Sequence, residues 1–351
     1  MTRFTHPLVA YAEPALRGAG VVRTVAGVAL TVAFVFLFVK VARLGMAAAL
    51  LGHDGAAARE ASTVHSPLGV LLTLGAFLAV WPALWVVLPL VHRRPANTLF
   101  GPQGKIDWRH FRLGLAVALA VGAAAWLPLM LVDGGEIEVF PNLAGWLGLA
   151  LLAAPLIFVQ CAAEEMLFRG YLLQQFAARS LSIIGWSVAP SILFGFAHPT
   201  EGAWLGFSWY HFFFGLVMAA VTSRTANLGA AIGLHFGINL VNIAFVSPQE
   251  LVSGLALFVV PQTVDSFAPR VAYVVMMFIG AALFMGYMDF RFLRAWRAAR
   301  RAEKAEQLAR GEPVDPAADG LSPLPGSFRR RARARPPAGP ETGPGATVPA
   351  E

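Results

Sequence analysis

Residues 142–169 read NLAGWLGLALLAAPLIFVQCAAEEMLFR. The first part is an apolar run of the ~20 residues that a helix needs to span hydrocarbon. It leads directly into two adjacent glutamates, Glu164 and Glu165. A charged side chain near the centre of a bilayer costs at least ~2.5–3.5 kcal/mol on insertion scales, so two together need a reason. An acidic pair in such a setting serves chemistry or a transport path.

The rest of the chain shares this apolar character. It is 57% hydrophobic and only 13% charged, against ~25% charged for an ordinary soluble domain. Further apolar runs fall at 21–40, 68–91, 112–132, 182–198, 203–223, 228–246 and 267–288, which with 142–163 makes eight. A closed β-barrel would also satisfy every backbone group in lipid, but its strands alternate apolar and polar residues, and these runs do not. The expectation is an all-α, polytopic integral membrane protein with eight transmembrane helices. Met1 to Gly20 lacks an apolar core followed by a small-residue cleavage site, so the first span is expected to act as an uncleaved insertion signal. The single cysteine, Cys161, excludes an intramolecular disulfide or a Cys-rich zinc cage. Its expected role is that of a small buried apolar residue.

Loop charges set the expected orientation. His92, Arg93, Arg94, Lys105, Arg109 and Arg112 make the loop after the second run basic, and Arg179 and Arg224 mark two later loops. Asp133, Glu136, Glu138, Glu201, Glu250 and Asp265 occupy the alternate loops. By the positive-inside rule both termini are cytoplasmic in a cell (plasma) membrane. Lys40 and Arg43, at the outer end of the first run, are the exception. Three segments follow: an N-terminal one at 1–20, a transmembrane domain at 21–290, and a basic tail at 291–351 with twelve Lys/Arg against seven Asp/Glu. Residues 291–310 can form a basic helix leaving the membrane. From Gly311 the tail is rich in Pro, Gly, Ala and Arg and is expected to be disordered. Cytoplasmic retention and contact with anionic lipid account for the tail's charge, and no nucleic-acid partner is expected.

Few other groups in the runs are capable of chemistry. Glu165 and Arg169 stand at i and i+4 on a helix, so they share a face. Glu164 is turned ~100° away and faces something else. Phe194 and His198 are one turn apart at the end of the fifth run, and His235, Asn239 and Asn242 form a polar stripe in the seventh. If the fourth helix runs on to Arg179 and the fifth starts near Ser182, Glu164 and His198 lie ~22–24 Å from that turn and are level across a hairpin. His211, among Trp209, Tyr210 and Phe212, reads as an interhelical hydrogen bonder and is left outside the site. A structural clasp alone would explain Glu165 and Arg169, and helix glue would explain a lone Asn. The conjunction of two acids, two histidines and an amide favours a site.

These residues resemble the signature of the CPBP family, the CAAX-protease and bacteriocin-processing intramembrane proteases also called Abi. Its motifs match Glu164-Glu165-x-x-x-Arg169, Phe194-x-x-x-His198 and His235-x-x-x-Asn239 in order. The resemblance covers about residues 140–246. It implies an intramembrane endopeptidase in which Glu164 and His198 hold and activate water. By the same resemblance His235 and Asn239 stabilise the oxyanion, while Glu165 and Arg169 order the site. A desolvated glutamate suits a general base, and imidazole and amide N–H groups suit an oxyanion.

Metal dependence stays open at this point. Glu164, His198 and His235 are a first-shell set of the kind found in hydrolytic zinc sites, and the family is commonly labelled metalloprotease. The His-Glu-x-x-His spacing is absent, however, and a glutamate mechanism without metal fits the same residues and is preferred. The expected partners are a membrane-associated protein or peptide substrate and the lipid bilayer. A non-catalytic scaffold or immunity protein would be expected to have lost some of these polar residues. A proton-coupled transporter would spread its carboxylates and show mirrored halves.

Overall fold

Asn142 starts the central helix by accepting a hydrogen bond from the Gly145 backbone N–H at 3.1 Å, the usual role of an Asn at this position. The computed structural model describes residues 7–49, 63–132, 137–199, 204–249, 252–260 and 267–310. In chain order the helices are α1 (Pro7–Ala12), α2 (Val21–Ala49), α3 (Pro67–His92) and α4 (Trp108–Val132). They continue with α5 (Leu143–Ala177), α6 (Ile184–Ala197), α7 (Trp209–Thr225), α8 (Gly229–Phe245) and α9 (Phe267–Ala309). Each of the eight expected runs therefore carries a helix. Four stretches, Val21–Ala42, Pro67–His92, Trp108–Leu127 and Leu143–Ala177, are long and apolar enough to cross a membrane, and α6 and α8 are shorter apolar helices.

The sequence places the end of the fourth run at 163, yet α5 continues to Ala177 as 35 residues, with a π-helical turn over Met166–Leu172. Every residue from Gln160 to Gln175 except Leu167 is buried. The polar side chains do not stop the helix because each finds an internal partner. Glu165 pairs with Arg169 at 3.0 Å, Gln175 with Thr24 at 3.2 Å and Tyr171 with His92 at 2.7 Å. Gln174 accepts from Arg94 at 2.5 Å, and burial pushes that guanidinium down to about 10. Buried polar groups that are satisfied in this way are tolerated in an apolar interior.

Three features add detail to the expected architecture. Besides its helices, the chain contains a small sheet of β1 (Glu138–Val139), β2 (Val246–Pro248) and β3 (Phe258–Val260), with β3 in the middle. β1 runs antiparallel to β3 with Glu138 opposite Val259, and β2 runs parallel to it with Val246 opposite Phe258. In the N-terminal segment Leu8, Tyr11, Ala12 and Ala15 are buried, and the Tyr11 hydroxyl lies 2.9 and 3.1 Å from the Leu99 and Arg169 carbonyls. Finally, α9 runs unbroken past 290 and includes the basic stretch as helix. The tail beyond 310, expected to be disordered, lies outside the described residues, as does the unit 315–351 as a whole.

The polar stripe of α8 is held at a fixed depth by α4. A Cβ on Gly233 would meet the Phe111 backbone, and one on Gly237 would lie 2.6 Å from the Ala118 methyl. Small residues let two helices approach this closely where no hydrophobic effect drives them together. On the far side, Asn242 accepts from the Trp126 indole at 3.2 Å, so this member of the stripe faces α4.

Candidate active site

Glu164 and Glu165 divide as their helical spacing requires. Glu165 is fully buried, and its Oε1 accepts from Arg169 Nη1 at 3.0 Å and from His235 Nδ1 at 2.8 Å. The Arg169 guanidinium also lies 4.4 Å from the centre of the Phe194 ring, a cation–π arrangement. Glu164 points elsewhere. Its Oε1 accepts from the Gln160 amide at 2.6 Å and stands 3.6 Å from His198 Nε2, while its Oε2 stands 3.7 Å from His235 Nε2. Among the described residues Oε2 has no hydrogen-bond partner.

The two histidines are oriented by their other ring nitrogens. His198 donates Nδ1–H to the Phe194 carbonyl at 3.0 Å, and His235 donates Nδ1–H to Glu165. A carbonyl or carboxylate can only accept, so in both rings Nε2 is the nitrogen turned toward Glu164. Phe194, 1% exposed, packs between them: its ring centre is 4.4 Å from that of His198 and 6.4 Å from that of His235. The expected residues Glu164, Glu165, Arg169, Phe194, His198 and His235 are thus brought together. Asn239 joins them indirectly, since its amide donates to Gln160 Oε1 at 2.9 Å.

Two residues outside the expected set belong to this constellation. Gln160 links Asn239 to Glu164, and its position one turn before Glu164 was a signal that could have found it. Among the described residues His211 makes no interhelical hydrogen bond of the kind expected of it. Its Nδ1 lies 2.7 Å from Ser208 Oγ at the start of its own helix, and its ring stacks on His198 with centroids 4.1 Å apart and planes 11° apart. No spacing relates positions 198 and 211, because they belong to the ends of different helices.

Glu164 and His198 also line a cavity of about 430 Å³. Apart from Thr31 its other walls are apolar, among them Val32, Val35 and Phe36 of α2, Phe77 of α3, and Leu167 and Phe168 of α5. Carboxylate and imidazole therefore sit at the edge of an apolar chamber large enough for a bulky side chain or lipid-like group. Among the described residues, no group of three or more His, Cys, Asp and Glu side chains is arranged to hold a metal ion. Glu164, His198 and His235, offered by the sequence as zinc ligands, face one another without forming such a set.

A comparison with known families bears on this arrangement. Residues 145–241 match the family described as type II CAAX prenyl endopeptidase, Rce1-like. The matched segment is similar to that family. It contains every residue of the constellation from Gln160 to Asn239, and the match is consistent with the CPBP resemblance. The α2 and α3 walls of the cavity lie outside the matched segment. The uncharacterized protein YyaK of Bacillus subtilis (strain 168) is 27% identical over 186 residues, which is 51% of this chain and 61% of that protein. The chain thus spans about three fifths of the length of the curated relative it matches. No solved structure gives a significant match.

Proposed function

We propose that this protein is an intramembrane endopeptidase that hydrolyses a peptide bond of a membrane-associated protein or peptide, with water activated by Glu164. The observation that carries the reading is the space between Glu164 and the two Nε2 atoms, at 3.6 and 3.7 Å, on the wall of an apolar cavity. The description of the Rce1-like family supports the reaction class.

In this reading a water molecule sits between Glu164 and His198. Glu164 takes one proton as the water oxygen bonds to the scissile carbonyl carbon. His235, held by Glu165, donates from Nε2 to the developing oxyanion when it carries a second proton. Collapse of the tetrahedral intermediate breaks the C–N bond, and the proton on Glu164 passes to the leaving amine. Charge developing away from water is stabilised most by donors already fixed in place, and the Glu165–Arg169–His235 cluster supplies that fixity. Asn239 acts through Gln160, which holds Glu164, rather than on the oxyanion itself. No step is routed through a metal.

The apolar cavity supports, as substrate in this reading, a segment whose residues near the cleaved bond are apolar or carry an apolar group, entering from the bilayer beside α2. Eight spans with both termini cytoplasmic complete the proposal. The test compares membrane peptidomes of cells carrying wild type and Glu164→Gln. Fragments that disappear in the variant, while the precursor accumulates, are the expected result. A purified Glu164→Ala protein that cleaves like wild type would overturn the reading.

A further inference from the structure

His198 lies just beyond the last turn of α6, with φ −121° and ψ 71°. Helical backbone no longer constrains its side chain there, so its aim at Glu164 depends on what the ring touches. One restraint is the bond from Nδ1 to the Phe194 carbonyl, which leaves the ring free to swing about that bond. A second is the Phe194 ring, which meets His198 at a tilt of 53°. The third is His211, which lies face to face with His198 and is anchored through Ser208. Ser208 is itself fixed, because its backbone N–H donates to the Gly195 carbonyl of α6 at 3.2 Å.

We infer that His211 is a positioning residue: its ring fixes the plane of His198. The inference rests on the endopeptidase reading and adds to it a group outside the recognised motifs. The two rings lie in stacked contact, with centroids 4.1 Å apart and planes 11° from parallel, and the Ser208 anchor keeps the His211 face in place. The Phe194 ring meets His198 at 53°, and Tyr210 packs edge-on against His211 at 5.1 Å, so neither offers His198 a second parallel face. Removal of the flat His211 face therefore loosens the aim of His198 at Glu164.

The experiment measures kcat and KM of purified protein in lipid nanodiscs for wild type, His211→Leu, His211→Phe and Glu164→Gln. Leu keeps the bulk without a flat aromatic face; Phe keeps both. The expected result is a fall in kcat of about tenfold for His211→Leu, with KM unchanged. His211→Phe restores kcat. Equal loss in Leu and Phe reduces His211 to packing and overturns the inference. So does wild-type behaviour of His211→Leu while Glu164→Gln is inactive. If Glu164→Gln matches wild type, the endopeptidase reading itself fails and the inference falls with it.

Discussion

Glu165 Oε1 and His235 Nδ1 are 2.8 Å apart, and the same oxygen takes Arg169 Nη1 at 3.0 Å. One carboxylate oxygen thus neutralises a buried guanidinium and orients an imidazole on another helix. Glu164, one residue earlier, faces His198 and His235 at 3.6 and 3.7 Å instead. The adjacent acids thus point to different partners, and in the proposed reading they divide into a clasp and a base.

The first prediction follows from that division. Glu165→Ala leaves Arg169 as an uncompensated buried charge, which costs about 3–5 kcal/mol. Thermal unfolding in detergent should therefore show a much lower Tm for Glu165→Ala than for Glu164→Ala. Equal Tm values for the two variants would show that the clasp is not confined to Glu165.

Activity should divide the opposite way. Glu164→Gln and His198→Ala are expected to retain the fold and insertion of wild type. Each should lower cleavage by about 10²–10⁴-fold, the range for a lost general acid or base. Substrate turnover by the purified variants, alongside gel filtration, checks both halves. Loss of folding in Glu164→Gln would make this residue part of the clasp.

The chain Asn239–Gln160–Glu164 gives a third prediction. Asn239→Ala and Gln160→Leu each release Glu164 from its orientation and should slow cleavage by about tenfold. Because the two act in series, the double variant should be no slower than the slower single. The coupling is expected at about 0.5–3 kcal/mol, as for residues in one network. Additive losses would mean that Asn239 acts on the substrate directly.

The part of this architecture that is local in sequence is legible in the sequence. Glu165 and Arg169 are one turn apart, so their pairing and the separate orientation of Glu164 follow from helical geometry. The full length of α5 does not, because Gln174, Gln175 and Tyr171 are buried against Arg94, Thr24 and His92, which are remote in sequence. The stack of His211 on His198 is equally invisible: it depends on how the chain turns between two helices. The cavity wall on α2 is hidden for another reason. An apolar residue facing lipid and one facing a chamber look alike in an apolar helix.

Metal removal is the fourth test. Dialysis against a strong chelator is expected to leave cleavage unchanged, and added zinc should not raise it. Loss of activity that zinc restores would return Glu164, His198 and His235 to the role of ligands.

The last prediction concerns α2, which lines the cavity through Thr31, Val32, Val35, Phe36 and Val39 while most of its surface is exposed. Gly27 is one of the contacts that set its position. A Cβ there would collide with the Tyr171 hydroxyl and come within 2.9 Å of His92 Nε2. Those two groups are already bonded to each other at 2.7 Å, so neither can give way without losing a buried hydrogen bond. Gly27→Val should therefore push α2 outward, at the ~1–3 kcal/mol of an overpacked contact. A wider chamber grips an apolar substrate less well, so KM should rise severalfold while kcat, set by Glu164 and His198 on other helices, changes little. Gly20→Ala is the control, since a Cβ there meets nothing within 4 Å. If Gly27→Val lowers Tm but leaves KM at the wild-type value, α2 is not a wall of the substrate site, and the bound segment must lie against α5 and α6 alone.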